Sequence, residues 1–155
     1  MNLGLTYNQA QELVDKYISA PITKYHLLES EAIMRALAKH FGENEEEWGI
    51  IGLLHDIDWE LTKTDTKQHC VRCVEILKKN GASDYLIKTI QSHGESTRQG
   101  RVQHALAAAE TLTGLIVASA IIQPDKKLAS VKLESLKKKF SNKKFAANCR
   151  RDIIL

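Results

Sequence analysis

An all-α fold is predicted by three features of this 155-residue sequence. Only two prolines and eight glycines interrupt it. No stretch sustains the apolar–polar alternation of a half-buried strand. Successive segments wound as helices instead gather their apolar residues on single faces. The composition, 43% hydrophobic and 26% charged, is that of an ordinary globular protein, and the length suffices to bury a core without staples. The expectation is one domain over residues 1–155, with a core over about 20–125 and a basic helical extension over 126–155 packed on it.

The helices are expected in this order. Thr6, with Gln9 three residues on, forms a capping box and opens a helix to about Ile18. Pro21 precedes a second helix over Lys24–Phe41, closed by Gly42. On its wheel His26 shares a face with Ser30, Ile33, Leu37 and Phe41. His40, at the far end, reads as structural or as a C-terminal charge. Glu43–Leu54 is the third helix, acidic where the helix dipole favours acid, and it delivers His55 and Asp56. After a polar connection over Asp58–Thr66, a fourth helix begins near His69, includes Cys70 and Cys73, and ends at Gly81. Ser83 caps a fifth, Asp84–Ser92, which leads into His93. Glu95–Gly100 is a loop, and Arg101–Ile122 a long apolar helix carrying Glu110 on an apolar face.

Other classes are set aside on composition. No basic segment followed by an apolar run opens the chain, and the longest apolar candidate for a membrane span, Leu112–Ile122, is too short. Three cysteines do not close a disulfide framework, so a reducing, cytoplasmic setting is expected. The net charge of +3 is uneven. Eight lysines and two arginines lie between Lys126 and Arg151 against the one acid Glu134. Such a tail can bind nucleic acid, but Leu128, Val131, Leu136, Phe140 and Phe145 interleave the lysines. The reading is therefore an amphipathic terminal helix with a solvated basic face. Cys70-x-x-Cys73 lies within a predicted helix without a second such pair, and is read as packing. No phosphate loop, dinucleotide fingerprint or nucleophile elbow is present.

The chemistry is carried by His26, the His55-Asp56 pair, His93 and Glu110. Each alone is more often structural: a buried histidine is satisfied by one carbonyl. Together, from separate helices, they offer nitrogen and oxygen donors suited to a divalent ion.

The ordered set His26, His55-Asp56, His69, His93 and a late acidic residue, with the phrases Gly52-Leu-Leu-His-Asp-Ile-Asp58, Ser92-His93 and Leu112-Thr-Gly-Leu-Ile-Val-Ala118, resembles the HD superfamily of metal-dependent phosphohydrolases. The resemblance is closest to its small stand-alone prokaryotic members and implies a bundle of about six to eight helices. It also implies a divalent ion (Mn, Fe, Zn, Co, Ni or Mg) held by His26, His55, Asp56 and Glu110. Glu110 departs from the aspartate usual there, and being one methylene longer it either ligates or displaces the ion. His69 and His93 match holders of a second ion. His55 and Asp56 carry the catalytic chemistry, with Asp58 behind them, and Lys63, Lys67, Arg98 and Arg101 are candidates to hold phosphate. The implied substrate is a small phosphorylated metabolite or nucleotide. No membrane or nucleic-acid partner is expected, and a homo-oligomer is compatible. A metal- or nucleotide-binding protein with little turnover, or a di-iron oxygenase, are the alternatives.

Overall fold

The computed structural model describes residues 2–94 and 97–155. Met1 and, from the expected Glu95–Gly100 loop, Glu95 and Ser96 lie outside the described residues. All the regular structure among the described residues is helical.

Helix α1 (Tyr7–Tyr17) opens on the Thr6–Gln9 capping box, with both reciprocal bonds formed. Helix α2 (Pro21–Phe41) starts three residues before the expected Lys24, with Pro21 as its first residue. A proline there lacks only an N–H that the helix leaves unpaired anyway. Gly42 ends α2 at φ 71°, a left-handed conformation that glycine adopts without a Cβ clash. Helix α3 (Glu45–Leu54) is capped by Asn44, whose side chain accepts from the N–H groups of Glu46 and Glu47.

Two compact units divide the chain, Met1–Leu106 and Ala107–Leu155. The first is organised on α3, in which every residue from Trp48 to Leu54 is buried. Leu27, Met34 and Ala38 of α2 are fully buried as well. Gly52 permits the close approach of α2 and α3, since a Cβ there would lie 2.8 Å from the Ser30 carbonyl oxygen. Gly52→Ala is therefore expected to force the two backbones apart and to lower stability by about 1–3 kcal/mol, read as a fall in melting temperature. An unchanged melt would show that this contact yields freely.

Helix α4 (Trp59–Thr62) and a 3₁₀ turn at Thr66–Gln68 occupy the expected polar connection. Glu60 of α4 accepts from the Ser19 and Ala20 N–H groups at 3.0 and 2.6 Å, fastening this segment to the start of α2. Helix α5 (Arg72–Lys79) corrects the expectation that His69 and Cys70 are helical. His69 is extended, and Cys70 has φ 64°. The reason lies outside the segment: Asp58 Oδ2 accepts the Cys73 N–H at 3.0 Å, so a side chain supplies the cap and the helix need not continue backwards. Helix α6 (Asp84–Gln91) has Ser83 as its cap and runs into a 3₁₀ turn at Ser92–Gly94.

Helix α7 (Gly100–Ile121) spans 22 residues, and by length and composition it could cross a membrane. This corrects the expectation drawn from Leu112–Ile122. Of its most apolar window, 44% is buried within the protein, and a core helix passes the same test.

In the second unit, helices α8 (Leu133–Ser141) and α9 (Arg151–Ile154) form the basic tail. Leu136, Phe140 and Phe145 are half-buried while Lys137, Lys138, Lys143 and Lys144 are exposed. The Arg151 guanidinium donates to the carbonyls of Ala146 and Cys149 at 2.6 Å each, and also to those of Phe140 and Phe145. Arg151→Ala should loosen the turn between α8 and α9 by about 1–3 kcal/mol. Faster tryptic cleavage at Lys143 and Lys144 is the expected readout, and an unchanged rate would count against the clamp.

Candidate metal centre

Five side chains of the first unit converge on one place. His26 comes from the second turn of α2, and His55 and Asp56 follow directly on α3. His69 stands in the extended residue after the 3₁₀ turn, and His93 in the turn after α6. The Asp56 carboxylate is at their centre. Its Oδ1 lies 3.5 Å from His55 Nε2, 3.3 Å from His69 Nε2 and 3.2 Å from His93 Nε2. Its Oδ2 lies 3.7 Å from His26 Nε2. Two imidazole pairs face each other through Nε2, His26 with His55 at 3.1 Å and His69 with His93 at 3.2 Å.

The far side of three rings decides what the near side presents. His55 Nδ1 is 2.8 Å from the Gly52 carbonyl and His93 Nδ1 is 2.6 Å from the Ile90 carbonyl. A carbonyl only accepts, so each Nδ1 carries the proton. His69 Nδ1 likewise donates to Asp58 Oδ1 at 2.9 Å. Asp58 is fully buried and divides its two oxygens between this bond and the Cys73 N–H. In their neutral forms, then, His55, His69 and His93 all direct a bare Nε2 lone pair at a carboxylate. Lone pairs about 3 Å apart repel unless positive charge lies among them, either protons or a metal ion. The nitrogen and oxygen donors fit a divalent cation, and the Nδ1 partners are the kind that orient metal-binding imidazoles.

Electrostatics describe the protonic solution. Burial, chiefly, pushes His55 down to about 4 and lowers His26. Burial also opposes charge on His69 and His93, but hydrogen bonds to Asp56 outweigh it. With Asp58 helping, His69 is raised to about 12, and with Cys70 helping, His93 to about 10. Burial works against the Asp56 carboxylate too, yet the surrounding imidazoles hold it well below the usual range.

Cys70 also reaches this cluster. Its Sγ is 3.6 Å from His93 Nε2, and His69, Cys70 and His93 form one group of donors close enough to share an ion. The other group is His26, His55 and Asp56. Burial disfavours the thiolate, but His69 and His93 bring the Cys70 thiol down to about 7. Reading Cys70 and Cys73 together as helical packing missed this. Only the adjacency of Cys70 to His69 in the sequence signalled it.

The remaining candidates lie as follows. Glu110 is in the second unit, half-buried on α7, and belongs to neither donor group. Lys63 and Lys67 are exposed. Arg98 donates to the His93 carbonyl at 3.1 Å, which sets its guanidinium beside the cluster. Arg101 pairs with Glu43 at 2.9 Å and stacks over Phe41. Phe41 is fifteen residues along α2 from His26, roughly 22 Å at the helical rise, so Arg101 is engaged at the opposite end of that helix.

The family model described as the HD domain matches residues 23–121, from the first turn of α2 to the end of α7. The chain belongs to the HD domain family. Its His55-Asp56 pair is the doublet placed at the heart of the cluster. HD domains form a superfamily of metal-dependent phosphohydrolases that bind divalent metals. No curated protein and no solved structure matches the chain.

In this HD domain, metal affinity is expected to rise with pH. Without an ion, His69 and His93 hold protons well above neutrality, because their pKa values are raised. An entering cation must displace those protons, and fewer remain to be displaced as pH climbs toward about 10. Calorimetric titrations in buffers of different ionisation enthalpy should show proton release on binding at pH 7. Zero release would mean the rings are already neutral.

Proposed function

We propose that this protein is a metal-dependent phosphohydrolase of a small phosphorylated metabolite or nucleotide, cleaving a phosphomonoester or phosphodiester in a cytoplasmic setting. The observation that carries the reading is the convergence of four Nε2 atoms on the Asp56 carboxylate. When bound, a divalent ion acidifies water toward neutrality and offsets charge on phosphoryl oxygens. His26, His55 and Asp56 would hold one ion, and His69 and His93 would hold a second, with the Asp56 carboxylate within 3.7 Å of an Nε2 atom in both sets. Asp58 fixes the His69 ring. Arg98, beside His93, is the side chain proposed to take a phosphoryl oxygen as a bidentate partner. Lys63 and Lys67 are proposed to draw the anion by charge.

The test is phosphate or p-nitrophenol release from p-nitrophenyl phosphate, bis-p-nitrophenyl phosphate and a nucleotide panel, with Mn, Co, Ni, Zn, Fe and Mg added in turn. Activity should vanish on chelation and return with the ion. Persistent inactivity with every ion bound would remove the hydrolase reading and leave a binding protein.

A further inference from the structure

We propose that Cys70 is a metal ligand. Its thiolate joins His69, His93 and Asp56 in a four-donor position that favours borderline-soft divalent ions such as zinc, cobalt or cadmium. The His26–His55–Asp56 position, by contrast, offers only nitrogen and oxygen. The proposal rests on the metal-dependent reading above and adds the identity of one ligand and the class of ion it selects.

Distances carry the argument. A tetrahedral ion with metal–nitrogen or metal–oxygen bonds of about 2.0–2.1 Å and a metal–sulfur bond of about 2.3 Å sets its donors apart by fixed amounts: roughly 3.3 Å for nitrogen or oxygen pairs and roughly 3.5 Å for sulfur–nitrogen pairs. The protein shows 3.2 Å for His69 Nε2 to His93 Nε2 and 3.3 Å for His69 Nε2 to Asp56 Oδ1. It shows 3.2 Å for His93 Nε2 to Asp56 Oδ1 and 3.6 Å for Cys70 Sγ to His93 Nε2. Four of the six edges of a tetrahedron are therefore already at coordination length, and the donor atoms of His69, Cys70 and His93 all lie within 4.8 Å of one another.

The backbone around Cys70 is arranged for this. The residue sits at φ 64°, where a side chain other than glycine's costs roughly 1 kcal/mol or more. Cys73 Sγ donates to the Cys70 carbonyl at 3.0 Å, which braces the turn. Gly94, next to His93, leaves room for the sulfur, since a Cβ there would stand 2.8 Å from Cys70 Sγ. Turn and glycine together set the sulfur 3.6 Å from His93 Nε2. On binding, the thiol proton passes to solvent as the sulfur–metal bond forms.

Cobalt titration of the metal-stripped protein tests the proposal. The wild type should take up two cobalt ions per chain and develop a near-ultraviolet thiolate-to-cobalt charge-transfer band. Cys70→Ser should lose that band and retain one ion. Cys73→Ser and Cys149→Ser should keep the band. Two ions bound without the band, or a band that survives Cys70→Ser, overturns the proposal and leaves the metal-dependent reading standing. No cobalt bound at all overturns both. A wild-type measurement guards against misfolding of the variant. Zinc should slow iodoacetamide labelling of Cys70, mapped by mass spectrometry, by about tenfold or more, because the thiolate is the nucleophile. Equal rates with and without zinc overturn the proposal.

Discussion

Asp56→Ala is expected to abolish metal binding at both positions and to reduce phosphate release to the level without enzyme. The carboxylate lies within 3.7 Å of an Nε2 atom on each of the four histidines of the cluster. Without it, each position keeps imidazoles whose mutual repulsion has lost its anionic counterweight. The loss in affinity should exceed the roughly 10–100-fold that removal of an orienting partner produces. The fold should survive, because Asp56 follows α3 and lies outside the apolar core of α2 and α3. Metal analysis with circular dichroism gives the readout. A folded variant that still holds two ions would show that the histidines suffice, and the central role assigned to Asp56 would be lost.

Asp58→Ala should do something different, weakening one position and destabilising the fold together. Its carboxylate is fully buried and serves two donors, His69 Nδ1 at 2.9 Å and the Cys73 N–H at 3.0 Å. Alanine leaves the first free to turn the ring and the second unpaired at the start of α5. Affinity at the His69–His93 position is expected to fall about 10–100-fold. Stability should fall by about 1–3 kcal/mol, the penalty for an unsatisfied buried donor. Asp58→Asn retains an oxygen for one of the two donors and should lie between. A stable variant with two undiminished affinities would mean that Asp58 only fills space.

Much of this centre was legible in the chain. The capping box at Thr6, the glycine after Phe41 and the acidic start of α3 are local signals, and local physics honours them. His26 was found because a helical wheel groups it with Ser30, Ile33, Leu37 and Phe41, a face that borders the buried stripe of Leu27, Met34 and Ala38. His55 and Asp56 follow from an apolar run that ends in two polar groups. Cys70 was not legible, because helical periodicity runs smoothly through it. What breaks the helix is a bond from Asp58, fifteen residues before Cys73 in sequence, and no pattern within the segment encodes that. Arg101 was misplaced for a similar reason. Its nearness in sequence to His93 suggested the phosphate site, whereas Glu43 and the ring of Phe41 hold it elsewhere. Glu110 was put forward as an acid on the apolar face of the long helix and by its place in the order of the set, and it lies half-buried on α7 in the second unit.

The way the rings are aimed bears on how this protein tolerates change. His55 and His93 are steered by the main-chain oxygens of Gly52 and Ile90, and no point mutation deletes a peptide carbonyl. Their orientation is thus buffered against genetic drift. His69 alone among the three depends on a neighbour's side chain, Asp58. In descendants of this sequence, the His69 position is where natural variation can retune the centre first, while the other two stay anchored.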